Sequence, residues 1–90
     1  MKHPTNLVVW PDDDIAVVAR RVADLRYDVL AAFLLKLSDF IEVDAETDLN
    51  HGRSNLAACL SATAGRLFGA SDAVERAWTI CKPYMKEDDR

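Results

Sequence analysis

Cysteine occurs twice in this 90-residue chain, at Cys59 and Cys81. That is too few for a disulfide framework, and the two lie too far apart for the close ligand pairs of a zinc site. Glycine and proline are equally scarce, three of each, and neither occurs between Pro11 and Gly52. Those forty positions therefore hold no strong breaker of a helix. No apolar run reaches the roughly 18 residues that span a bilayer, and the start, Met1-Lys2-His3-Pro4, lacks the apolar stretch of a signal peptide. The expectation is a cytoplasmic protein without a membrane segment. Basic charge is in deficit: 11 Lys and Arg stand against 15 acids, a formal charge of -4, so no broad field draws the chain to phosphate. What is present is an apolar half and a charged 29%, the balance of one packed domain over residues 1–90.

The apolar residues recur at helical spacing. Ile15, Val18, Val22, Leu25 and Val29 step by three or four, and Leu30, Phe33, Leu34, Leu37, Phe40 and Ile41 continue the pattern. Pro11 suits a first helical turn, and Asp12, Asp13 and Asp14 suit the positive end of the helix dipole, so helix one is expected to start there. A single rod from Asp12 to Asp44 would be about 50 Å long, more than so short a chain can cover with its own core. Two helices or a strong bend are expected, with the break near Asp24 to Asp28. The acids between Glu42 and Gly52 read as a helix end and a polar loop. Helix three is predicted from Ser54 or Asn55, with Leu56, Cys59, Leu60, Thr63, Leu67 and Phe68 inward and Gly69 as its stop. A fourth helix is expected from Ser71 or Asp72, with Glu75 as a capping partner, Val74, Ala77, Trp78 and Cys81 on its apolar face, and an end before Pro83. The fold class is thus all-α, a small bundle of three to four helices. An extended N-terminal arm (1–11) precedes it, and a frayed tail (86–90) follows.

Groups that could carry chemistry are sparse. Asp44, Glu46 and Asp48 match the first, third and fifth positions of a calcium loop, but Leu49 and Asn55 stand where that loop needs glycine and glutamate. The histidines, His3 and His51, have no second ligand at metal spacing, and no third residue orients a Cys81–His51 pair. Both cysteines read as small core residues. No catalytic residue, metal or cofactor is assigned, and the chain is read as no enzyme. Residues 64–78 resemble the punctuation of a DNA-reading helix-turn-helix through Leu67-Phe68-Gly69-Ala70-Ser71. Yet Glu75 falls where that motif buries an apolar residue, and Asp72 opens the would-be recognition helix.

Helix two is apolar nearly all round, a pattern of helices that are central or shared between chains. The expected reading is a small protein–protein interaction module, an adaptor, inhibitor or regulatory subunit. It forms a homodimer through Leu30, Phe33, Leu34, Leu37, Phe40 and Ile41 and meets another protein through Leu7, Val9 and Trp10 of the arm and the acids Glu42, Asp44, Glu46 and Asp48. The alternative is a dimeric DNA-binding regulator using residues 64–78, with nucleic acid the less favoured partner.

Overall fold

A computed structural model describes His3 and residues 14–85 of the chain. Among these residues the fold is all-α: α1 (Ile15–Ala23), α2 (Tyr27–Asn50), α3 (Ser54–Cys81) and a closing 3-10 turn over Lys82–Tyr84. The arm, with Leu7, Val9 and Trp10, and the tail both lie outside the described residues.

The chain breaks where the sequence predicts. Asp14 caps α1 with its carboxylate, which accepts the Val17 amide at 2.9 Å, so it stands before the helix rather than inside its first turn. Asp24 closes the same helix, and Tyr27 opens the next. Helix two then runs further than predicted. The acids from Glu42 to Asp48 are part of its last turns and not a loop, because nothing before Gly52 obliges the backbone to leave the helix. Gly52 does so, at φ +78°, a conformation open to glycine at little cost. Its amide bonds to the Leu49 carbonyl at 3.0 Å and the Arg53 amide to the Asp48 carbonyl at 2.9 Å, the Schellman pattern of helix ends. Arg53 also donates Nε to Asp48 Oδ1 at 2.8 Å, with Nη2 at 2.7 Å from the same oxygen, which ties the turn from its other side.

The larger correction concerns α3. Helices three and four are one helix of 28 residues, with Gly69 in its interior. Residues 64–78 contain no turn, so the helix-turn-helix punctuation has no structural counterpart. Gly69 lies where an added Cβ would meet nothing within 4 Å, and its φ is not positive, so it is a glycine tolerated in a helix. Ser71 and Ser54 do not act as side-chain caps. Pro83 ends the helix as predicted, with Cys81 its last residue.

α2 and α3 pack as an antiparallel hairpin along a seam of small residues. Ala31, Ser38 and Ala45 are buried on α2, and Ala57, Ala64 and Ser71 on α3, each set at steps of seven. A step of seven returns a helix to nearly the same side, and side chains this small let the backbones approach closely. The serines show how close. Ser38 donates its hydroxyl to the Ala64 carbonyl at 2.8 Å, and Ser71 to the Ala31 carbonyl at 2.7 Å. Both bonds share one register, which sets Ala45 opposite Ala57. Neither hydroxyl is left unsatisfied, and each such bond contributes about 1 kcal/mol net.

No large side chain is fully buried among the described residues. The molecule measures 50 × 32 × 15 Å, with a radius of gyration of 15.9 Å against the roughly 12 Å of a compact chain of this length. It is a plate one helix thick.

Candidate functional site

Helical spacing sorts the rest of the hairpin into two faces. One carries Leu30, Leu34, Leu37 and Ile41 of α2 beside Leu60 and Leu67 of α3, with Tyr27, Val74 and Cys81 extending it to the open end and Leu56 to the turn. From Tyr27 to Ile41, and from Leu56 to Cys81, the positions on this face hold no charge. Most of these side chains are half-buried, each leaning on its neighbour across the seam. The opposite face mixes Leu35 and Phe68 with Glu42, Asp72 and Glu75. There Ser61 donates to Glu42 at 3.1 Å, and a shallow groove of about 310 Å³ runs between Leu35 and Phe68.

The residues expected at a dimer interface are therefore divided. Leu30, Leu34, Leu37 and Ile41 share the charge-free face. Phe33 and Phe40 do not: they lie on the outer side of α2, 45% and 63% exposed, in a stripe with Val29 and Val43. The acids divide as well. Glu42 and Glu46 are exposed and Asp44 is half-buried. Asp48 is 4% exposed and held by Arg53, so it secures the turn and offers no charge to a partner.

The open end of the hairpin holds the most built corner of the molecule. Arg26, between α1 and α2, grips the Asp28 carboxylate with both prongs, Nε to Oδ1 at 2.7 Å and Nη2 to Oδ2 at 2.8 Å. Its guanidinium carbon sits 5.1 Å from the centre of the Trp78 ring on α3, within cation–π range. The hydrogen bond from Arg26 holds the Asp28 carboxyl below its ordinary pKa, and the same bond raises that of the guanidinium. Beside this pair opens a groove of about 690 Å³ lined by Arg20, Leu25, Tyr27, Trp78, Cys81 and Met85 among others. Trp78, expected in the middle of a core, instead floors this corner and is half-buried. The sequence places Arg26 beside Asp28 and Arg20 four residues before Asp24, and both pairs form, but it gives no sign of the Trp78 contact. The place of Arg26 one residue before α2, opposite an aromatic near the end of α3, is a tertiary fact.

Among the described residues no group of three His, Cys, Asp or Glu side chains could hold a metal ion. Cys81 lies at the open end and His51 beside the turn, at opposite ends of α3, so they do not form a pair. His51 Nδ1 is 2.8 Å from the Thr47 carbonyl. Cys59 is exposed rather than in a core, and Cys81 is half-buried. No described helix is long and apolar enough to cross a membrane. No family model, curated protein or solved structure matches the chain.

Proposed function

We propose that this chain is a protein–protein interaction module, a helical hairpin whose apolar surface is completed by helices from outside the chain. One observation carries the reading: among the described residues fourteen large apolar side chains are exposed, while the buried apolar set is Val18 and four alanines. Stable domains bury an apolar face between two layers, and here the described residues supply one. Small-residue seams support the same reading, since they join two helices without filling the space above and below them.

The test is helix content and binding of an apolar-surface dye, followed as the purified chain is diluted from micromolar to nanomolar concentration. Helix content is expected to fall on dilution, or dye to bind throughout. A monomer that keeps its helix content at every concentration and binds no dye overturns the proposal, because its apolar surface would then be covered from within.

A further inference from the structure

We infer that the break between α1 and α2 is a hinge imposed from α3: Trp78 wedges the seam, Arg26 latches the broken form, and release of either lets α1 and α2 run on as one helix. The inference goes beyond the interaction-module reading and does not depend on it.

Nothing local forces the backbone out of the helix at this point. Neither proline nor glycine lies between Pro11 and Gly52, and among the described residues only a glycine takes positive φ. Asp24, Leu25 and Arg26 alone separate the two helices. Asp24 keeps near-helical torsions, φ -82° and ψ -6°, and the chain is extended at Arg26, where ψ is 144°. Arg26 stands at the N-cap of α2 yet caps nothing with its side chain.

The seam supplies the cause. On α3 its residues recur at steps of seven, Ala57, Ala64 and Ser71, and the next step is Trp78. The register of the two serine bonds puts that ring opposite position 24 of a continued α2. An indole does not fit where alanine and serine let two backbones approach. So α2 begins short of that point, at Tyr27, while α3 runs on to Cys81.

The latch is Arg26. Its grip on Asp28 joins residues two apart, which do not face each other in a helix, so the pair exists only while the helix is broken. Its guanidinium lies 5.1 Å from the centre of the Trp78 ring, so latch and wedge touch. A continuous helix offers Arg26 no acid three or four residues away, since Val22, Ala23, Val29 and Leu30 stand there. It also sets Asp28 four residues after Asp24, a like-charge pair, while Arg20 keeps Asp24 in either form. Against these losses stand the backbone bonds it gains, from the Tyr27 amide to the Ala23 carbonyl and from the Asp28 amide to that of Asp24. The groove beside Trp78 feels the difference, because Arg20, Ala23 and Asp24 line it together with Trp78 and Cys81. Straightening moves that wall, which makes α1 a strap at the open end of the hairpin.

The test is backbone nuclear magnetic resonance of the full chain, reading the Cα shift at position 26 and exchange of the Tyr27 and Asp28 amides, with helix content followed by circular dichroism. The parent chain is expected to show an extended shift and fast exchange. Arg26→Gln removes the fork at nearly unchanged helix propensity, and Trp78→Ala removes the wedge. Each is expected to move the shift into the helical range and to slow both amides towards those inside α2. An extended shift in both variants, with helix content kept, would overturn the hinge and make the break a local property. A shift in Trp78→Ala alone would overturn the latch, and one in Arg26→Gln alone the wedge. A helical shift in the parent chain would overturn the break itself. Where Trp78→Ala loses helix content, Arg26→Gln decides alone, and an unchanged shift there overturns the proposal.

Discussion

Replacing Gly69 by alanine is expected to stabilise the protein. Glycine in a helix interior is less favourable than alanine by roughly 0.5–1 kcal/mol, because its unfolded chain has more conformations to lose. The gain is realised only where the new methyl group meets no obstacle and φ is negative. Both conditions hold at Gly69: nothing lies within 4 Å of the added Cβ, and Gly52 alone among the glycines has positive φ. For a domain of this size each kcal/mol moves Tm by about 4–8 °C, so the expected rise is roughly 2–8 °C. The assay is thermal unfolding by far-ultraviolet circular dichroism at one fixed protein concentration, since association would otherwise shift Tm by mass action. Gly52→Ala serves as the opposite control. Its φ of +78° strains any residue with a Cβ, and it is expected to lose about 1 kcal/mol. A fall in Tm for Gly69→Ala comparable to that of Gly52→Ala would refute the continuous helix and restore a turn between residues 64 and 78.

Other expectations follow from the seam, the turn and the corner. Arg53→Ala leaves the buried Asp48 carboxylate without its partner and is expected to cost about 1–3 kcal/mol, read from urea unfolding, with Asp48→Asn softening the loss in the double variant. Ser71→Ala is expected to cost about 1 kcal/mol, the net value of one hydrogen bond, whereas Ser71→Leu should cost about 1–3 kcal/mol because the hairpin must open to admit it. Equal losses in the two variants would count against the close seam. Asp28 has a lowered carboxyl pKa in the folded chain, so its contribution is complete above the ordinary carboxylate range near 4 and is lost as pH falls through the lower folded value. Asp28→Asn is expected to flatten the acid limb of stability against pH, and an unchanged limb would show that the Arg26 pair contributes nothing to folding.

The break between α1 and α2 was legible because an unbroken rod would be too long for the chain, and because aspartates stood where a helix could end and another begin. That a polar loop precedes helix three was legible from Asn50-His51-Gly52, but not that α2 would carry the acids Glu42 to Asp48 within it as far as Asn50. Gly69 carried the same local signs and misled. Its neighbour Ser71 read as a cap, yet its hydroxyl serves the Ala31 carbonyl, forty residues away in sequence, a use no local pattern reveals. The division of the apolar residues of α2 was hidden for a different reason. When Leu, Phe and Ile occur on several sides of one helix, their spacing alone does not say which side meets α3. The decisive marks were the smallest residues, Ala31, Ser38 and Ala45, which a search for large apolar groups passes over. The Arg26–Trp78 corner depends on the hairpin register and was out of reach without it.

The turn at Gly52 has a consequence for the order in which the chain folds. Every α2–α3 pairing is nested around it, so the loop that must close grows steadily from the turn outward. With the Arg53–Asp48 tie in place, Ala45 can meet Ala57 across a short loop. The Ser38–Ala64 bond then extends that zipper, and the Ser71–Ala31 bond follows at the widest separation. Each step adds only a small increment of loop entropy to contacts already made, a pattern associated with fast folding. By the same logic the hairpin opens from its far end, so slow amide exchange should persist longest near Ala45 and Ala57 and be lost first beside Trp78.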